Sequence, residues 1–345
     1  MENQHKTKRN RPTMQDVARL AGVSQPTVSR VLHRTGSTPQ ISENTRQRVL
    51  AAVRELGYRP NVAARSLRTR RSQTIALLLA DLANSFYHPI ARAVQDIAHE
   101  HDYEVLIANS DHLYDNEKLF CEIVLGRGVD GAIMVPIRIT SDELGHFVSQ
   151  HQMPLVVLGQ HITHPNIDVV RVDDEQATYE TTNWLISQCG HRKIGFVGVP
   201  DYYPPGPRRL RGFARAMREA GLPLDARWMP HGDFTRESGV RAAQALMQAG
   251  ELPSALIVLN DLMAIGVILT LQEAGYSIPD DVAVVGFDNI PEATIVRPTL
   301  TTIAQDPRDI GRKLATALFE RIKNPDIVER RVFESPTQFI RRQSA

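Results

Sequence analysis

Cysteine is scarce in this chain: its 345 residues hold two, Cys121 and Cys189. They lie far apart and make no Cys-x-x-Cys spacing, which argues against a disulfide framework or a cysteine-rich metal site. Two unpaired thiols fit a reducing compartment, and both are expected to serve in packing. Long apolar runs are missing as well. None approaches the roughly 18 to 20 residues that span a bilayer, so no membrane contact is expected. Residues 1–11 are polar and basic with no apolar stretch, and read as a flexible arm rather than a secretory leader. A cytoplasmic location is therefore expected.

The motifs of catalysis are also missing. Gly195-Phe196-Val197-Gly198 is not a GxGxxG fingerprint, and no GxSxG elbow, P-loop or HExxH occurs. The chain reads as a non-enzyme with no cofactor. His161-Ile162-Thr163-His164 has a possible ligand spacing, but it precedes Pro165 in what reads as a surface loop, so no metal is expected.

What the chain does have is a lopsided charge. The whole is nearly neutral, at +1. Residues 1–71 nevertheless hold fifteen Lys/Arg against four Asp/Glu, and the remainder holds 25 against 35. A strongly basic head on an acidic body is the footprint of a module that neutralises phosphates.

Residues 13–32, TMQDVARLAGVSQPTVSRVL, read as two short helices joined by a tight turn. Thr13 can cap the first helix, with Asp16 placed near its positive end. Val17, Ala18 and Leu20 supply an apolar face, and Gly22 can take the positive φ of the corner. Ser24 caps the second helix and Pro26 occupies its first turn. Val28, Val31 and Leu32 face inward. Gln25, Pro26, Thr27, Ser29 and Arg30 remain for the outer face, where a recognition helix meets base edges and phosphates. Ser42 starts a third helix, with Val49, Leu50, Val53 and Leu56 at helical spacing and Gly57 as its stop. The next segment, Pro60 to Arg71, is too short to hold a helix alone and carries Leu67 among basic residues. Such a segment can fold when docked on DNA, with its leucine wedged between base steps in the minor groove.

From Thr74 onward strand and helix alternate. TIALLLA, EVLIANS, GAIMVP and PLVVLG read as buried parallel strands, and KIGFVGV, ALIVLN and VAVVGFD form a second series. Two such series predict two doubly wound lobes with a ligand cleft at the carboxyl ends of the strands. Phe86 and Tyr87, Asp111, Asn260 and Asp288 follow strands directly, Arg209 opens a helix, and Phe234 lies in the loop HGDFTRES. Aromatic faces can stack on a sugar or a base, while Arg, Asn and Asp can pair with neighbouring hydroxyls.

The stretches TMQDVARLAGVSQPTVSRVL, RPNVAARSLRTRRSQTIALLL, GHRKIGFVG, RRLRGF, GDFTRESG, NDLMAIG, PDDVAVVGFDN and PTLTTI resemble, in order, the LacI/GalR family of bacterial transcription regulators. The likeness runs from about residue 12 to residue 342. It implies an all-α helix-turn-helix DNA-binding head over residues 12–59, with a hinge helix and linker over 60–72. It also implies an α/β periplasmic-binding-protein-like body of two doubly wound lobes over 73–345. Lobe 1 is expected to take about 74–173 and 306–333, and lobe 2 about 174–303 and 336–342. In the head, the resemblance implies base reading by Gln25, Pro26 and Arg30. Thr13, Ser24, Thr27, Ser29 and Asn61 would position the head, and Ala64 and Leu67 would lie in the hinge. In the body, the family's effector contacts map onto Tyr87, Arg209, Phe234, Asn260 and Asp288, with Asp173 a weaker match. Phe86, Asp111 and Tyr203 complete the candidate set. Tyr203 stands where the purine-sensing branch carries a second arginine, which argues for a sugar, polyol or sugar acid as effector.

One small head reads too few bases, so two heads on a pseudo-palindrome are expected. No leucine heptad follows the last strand, which points to a homodimer. The expected function is a repressor of carbohydrate or sugar-acid metabolism genes under effector control. The alternative is a corepressor-dependent regulator answering to a nucleoside or another non-sugar metabolite.

Overall fold

The computed structural model describes residues 12–32, 41–58 and 71–345. The chain divides into two units, residues 1–72 and 73–345. Asn61, Ala64 and Leu67 lie outside the described residues, as do the basic arm and most of the hinge segment.

In the first unit, α1 (Met14–Ala21), α2 (Gln25–Leu32) and α3 (Glu43–Leu56) surround a small core of Val17, Ala18, Ala21, Val28, Val49, Ala52 and Tyr58. Its local chemistry is that of capped helices. The Thr13 hydroxyl accepts from Asp16 N at 3.3 Å while the Asp16 carboxylate accepts from Thr13 N at 2.9 Å, a capping box. Gly22 ends α1 at φ 62°, a left-handed conformation that costs a glycine little. Leu20, expected in the core, is 47% exposed instead.

The second unit holds two sheets. The first is built from β1 (Thr74–Leu79), β2 (Glu104–Asn109), β3 (Gly131–Met134), β4 (Leu155–Leu158), β5 (Asp168–Val172) and β10 (Val332–Ser335), in the spatial order β10-β5-β4-β3-β1-β2, all parallel. The second runs β11-β9-β8-β7-β6. These are β6 (Ile194–Val197), β7 (Ala255–Val258), β8 (Ala283–Asp288), β9 (Thr301–Gln305) and the antiparallel edge strand β11 (Thr337–Ile340). Interior strands such as β1, β3, β7 and β8 are buried on both faces, which is why their sequences are continuous apolar runs. β2 departs from that expectation. It is an edge strand, partly exposed along its length, with Ile107 40% exposed.

Helices cover both sheets. α4 (Tyr87–Glu100) packs against α11 (Pro307–Lys323), and α5 (Tyr114–Arg127) and α6 (Ser141–His151) complete the first lobe. In the second lobe α7 (Asp174–Ser187) packs on α8 (Pro205–Glu219), and α9 (Arg236–Gln248) on α10 (Asp261–Glu273). The chain passes between the lobes three times: between β5 and α7, between β9 and α11, and between β10 and β11. Cys121 is buried, as expected of a packing residue, whereas Cys189 is exposed.

The returning C-terminal segment is tied down by a buried ion cluster. Asp168, fully buried at the start of β5, accepts from Arg321 on α11 at 2.6 and 2.7 Å. It also accepts from the Arg331 side chain at 2.7 and 3.0 Å and from Arg331 N at 2.8 Å. Burial pushes its carboxyl pKa up, but the hydrogen bonds from the two arginines outweigh this and hold it below the ordinary value of 3.8. Asp168→Asn leaves Arg321 buried without a counter-charge and should cost about 3–5 kcal/mol in a denaturant titration. Because the folded-state pKa is depressed, the cluster's contribution is full above pH 3.8 and fades as the pH falls below it. An unchanged denaturation midpoint would contradict this reading.

Candidate functional site

The head presents its second helix as the expected reading surface. Ser24 caps α2, with Thr27 N donating to its hydroxyl at 3.4 Å. Gln25, Pro26 and Arg30 are exposed, while Thr27 and Ser29 are half-buried. Thr13 uses its hydroxyl in the capping box, donating to Asp16 at 2.7 Å. Its role within the head is thus to hold the helix that braces α2.

In the body, a cleft lies at the carboxyl ends of the strands of both sheets and encloses about 810 Å³, part of it open to solvent. The first lobe contributes Asn84, Phe86 and Tyr87 after β1, His112 after β2, Val135 to Ile137 after β3, Leu158 at the end of β4 and Gly159 to His161 after it. Asp174, Arg208, Arg209, Phe234, Asn260 and Asp288 come from the second lobe, and Gln305 ends β9.

Its polar centre is an ion group. Arg208 makes a paired contact with Asp174, Nε to Oδ1 at 2.8 Å and Nη2 to Oδ2 at 2.9 Å. Arg209 is buried, donates to the Leu259 carbonyl and to Asp174 Oδ2 at 3.4 Å, and lies 3.5 Å above the Phe287 ring. Burial lowers the Arg209 pKa, opposed by the charges of Asp174 and Asp288. Asp288, buried, accepts from Gln305 Nε2 at 2.7 Å. Burial pushes its carboxyl up to about 6, even though the Arg209 charge and the Gln305 bond pull it down. Burial likewise raises the Tyr87 hydroxyl, helped by Asp288 and Asp81, so it stays protonated and can donate.

Backbone strain gathers on the same wall. Phe234, Asp288 and Asn289 sit at φ 71°, 114° and 59°, left-handed values that non-glycine residues seldom adopt. They are held from behind. Asn260 donates to the Phe234 carbonyl at 2.9 Å while its own side-chain oxygen caps α10 at Met263 N. Asp261 accepts from Ile290 N at 2.9 Å and from the Thr302 hydroxyl at 2.6 Å. On the facing wall the buried Glu117 carboxylate accepts from the backbone N–H groups of Ile137, Arg138 and Ile139, at 2.8 to 3.2 Å, and holds the loop after β3.

Residues 13–61 match the description bacterial regulatory proteins, lacI family, and residues 185–345 match a periplasmic binding protein-like domain. Catabolite control protein A of Priestia megaterium is 35% identical over 333 residues, covering 96% of this chain and 98% of the relative. An HTH-type transcriptional repressor, PurR of Photobacterium profundum, is 34% identical over 96% of this chain and 98% of its own. This chain belongs to the LacI family of bacterial transcriptional repressors. A CelR–cellobiose complex superposes with a TM-score of 0.72 at 30% identity, covering 97% of this chain and 100% of that one. The Lac repressor dimer bound to operator and an anti-inducer superposes at 0.83 and 25% identity, covering 97% and 99%.

In this LacI-family repressor, Phe86, Tyr87, Arg209, Phe234, Asn260 and Asp288 come together in the cleft. Three other candidates do not line it. Asp173 is the N-cap of α7, accepting from Gln176 N at 3.1 Å, and the next residue, Asp174, faces the cleft in its place. Asp111 turns away at φ 51° and accepts from the Asn109 amide, leaving His112 to face inward. Tyr203 stands edge-on against Phe234 at 5.3 Å and supports that ring from outside the lining. Gln160, His161, Arg208 and Gln305 were not singled out by sequence as cleft residues. His161 and His164 share the loop between β4 and β5 but face different ways. His161 lines the cleft, whereas the His164 ring packs against Gly145 of α6. Among the described residues no cluster with metal-binding geometry occurs, and no helix is long and apolar enough to cross a membrane.

The Asp288 carboxyl makes a pH prediction. Its folded-state pKa is raised, so ionising it costs stability: the folded state loses ground as pH climbs from 3.8 to about 6, then levels off. The difference in unfolding free energy between wild type and Asp288→Asn should follow that curve, by up to roughly 1.4 kcal/mol per pH unit. A difference that stays flat from pH 4 to 7 would contradict the assignment.

Proposed function

We propose that this repressor binds a pseudo-palindromic operator as a homodimer and is controlled by a sugar, polyol or sugar acid held between its lobes. It binds this effector without chemical turnover. The observation that carries the reading is the cleft itself. Aromatic faces of Phe86, Tyr87 and Phe234 stand around a buried Arg209–Asp174–Asp288 group, an arrangement suited to stacking on C–H faces while pairing with hydroxyls. The cellobiose complex among its structural relatives supports a carbohydrate in such a cleft.

Pairing of two chains is supported by apolar surface on the first lobe. Leu119 and Ile123, one turn apart on α5, are 51% and 36% exposed, and Leu113 just before that helix is 55% exposed. With Ile107 on the edge strand β2, these are apolar side chains that the first lobe leaves exposed for a second copy to cover. The Lac repressor dimer bound to operator is the structural precedent. In the head, exposed Gln25 and Arg30 reach base edges. Pro26 offers no donor and can make only apolar contact, for example with a thymine methyl.

Selection from random-sequence DNA at fixed salt, with and without a panel of sugars, polyols, sugar acids and nucleosides, tests both halves. A palindrome weakened by a carbohydrate is the expected result. A palindrome strengthened by a nucleoside would replace this reading with the corepressor one, and recovery of no palindrome would overturn specific recognition. Asp288→Ala should bind the selected operator like wild type while its response to the effector falls from the typical 5- to 150-fold coupling to about one-fold. A retained response would remove Asp288 from the site.

A further inference from the structure

Two imidazoles that line the cleft keep buried ring nitrogens without a partner, His112 at Nδ1 and His161 at both positions. Both ring nitrogens of His161 are buried, and neither reaches a hydrogen-bond partner in the protein. Buried polar groups left this way carry a desolvation cost that a ligand group can relieve. The polar neighbours are differently placed. Arg208 and Arg209 are engaged with Asp174, Asp288 with Gln305, and Asn260 with the Phe234 carbonyl and Met263 N. Gln160, next to His161 in the chain, donates to Asp174 Oδ1 at 3.3 Å and to the Val172 carbonyl at 3.4 Å.

The ring occupies its place because residue 159 is a glycine. A Cβ at Gly159 would lie 2.9 Å from His161 Cε1, closer than such atoms approach, and a tight 3.2 Å from Nδ1, so the ring would have to shift. The loop after β4 therefore trades a side chain at 159 for an imidazole folded over the backbone at the cleft wall. Burial, reinforced by the Arg208 guanidinium, holds the His161 pKa down at about 4. At neutral pH the ring thus carries one donor and one acceptor. A hydroxyl can donate and accept, so neighbouring hydroxyls satisfy both nitrogens. A carboxylate seated against the ring can only accept, leaving the unprotonated nitrogen unpaired, and an ammonium there can only donate.

We propose that His161, seated by Gly159, is a specificity-determining contact for the effector, and that it selects an uncharged polyhydroxylated ligand over the corresponding sugar acid. The proposal rests on the carbohydrate reading of the cleft and narrows it.

The test uses the full-length protein and matched probes that differ in one carboxylate: D-glucose with gluconate and glucuronate, D-ribose with ribonate, and sorbitol. Binding is measured by calorimetry. Wild type should prefer a neutral member to its acid counterpart by about ten-fold or more. His161→Phe keeps the ring's bulk but removes both nitrogens, and should lose that preference along with about ten-fold or more of the neutral ligand's affinity. Gly159→Ala displaces the imidazole without removing it and should change binding in the same direction. It also provides a second variant should the phenylalanine protein fail to fold. His161→Asn, which retains a donor and an acceptor, should recover part of the affinity. If wild type binds a neutral probe and both His161→Phe and Gly159→Ala bind it equally well, the assignment of His161 is wrong while the carbohydrate reading stands. Preference for the acid member of a pair overturns the selectivity. Binding of no probe overturns the carbohydrate reading and the proposal with it.

Discussion

The cleft depends on one buried ion group. Asp174 opens α7 directly after the chain has left the first lobe, and it is 2% exposed. Two arginines from α8 converge on it, one through a paired contact and one through a longer bond that also serves the Leu259 carbonyl. A buried guanidinium is tolerated only when its charge and its donors are satisfied, so this geometry is strongly enforced. Arg209 is stacked on Phe287, the residue just before Asp288. The ion group therefore fixes three things together: the α7–α8 pair, the end of β8, and the polar floor of the cleft.

The rest of the wall is rigid for a related reason. Left-handed backbone at Phe234, Asp288 and Asn289 persists only where neighbours over-determine it. Here Asn260 and Asp261, adjacent at the start of α10, act in opposite directions. One grips the loop before α9 through the Phe234 carbonyl, and the other grips the loop after β8 through Ile290 N. A single helix start thereby sets the positions of an aromatic ring and a carboxylate that are distant in sequence. Burial raises the Asp261 carboxyl well above its ordinary value, with Asp288 adding to the effect, so this support lies in a low-dielectric interior.

What was legible in the sequence follows from how local the physics is. The helical head could be read because a cap, a turn glycine and an apolar spacing all act within a few residues. Interior strands could be read because burial on both faces demands an unbroken apolar run. β5 could not, since Asp168-Val-Val-Arg-Val begins with a charge whose partners, Arg321 and Arg331, lie 153 and 163 residues away. Within the cleft, Arg209, Phe234 and Asp288 were legible through motif and strand-end position. The choice between Asp173 and Asp174 was not, because it turns on which of two adjacent acids caps a helix and which begins it. Asp111 and His112 both take left-handed φ, and that turn decides which of them faces inward. His161 was obscured by its spacing to His164, which drew the eye to ligand spacing in their common loop, whereas the glycine two residues before it settles where its ring goes.

The contacts that join the lobes across the cleft differ from those that build each lobe. Ser85 donates to Glu292 at 2.7 Å, Arg138 lies 4.2 Å over the half-exposed Tyr202 ring, and His112 stacks on Phe234 at 5.3 Å. Each pairs a first-lobe residue with a second-lobe residue. A hydrogen bond or cation–π contact of this partly solvated kind contributes only about 1 kcal/mol. The buried Asp168 cluster, by contrast, ties the returning helix and strand firmly into the first sheet. Contacts of this size across the cleft are ones that a ligand seated there can exchange for its own. A ligand can move a joint of this kind only through a difference in its contacts between two arrangements. His112 and Phe234 belong to both the joint and the cavity lining, so a group seated between the lobes meets the very rings whose stacking holds them together.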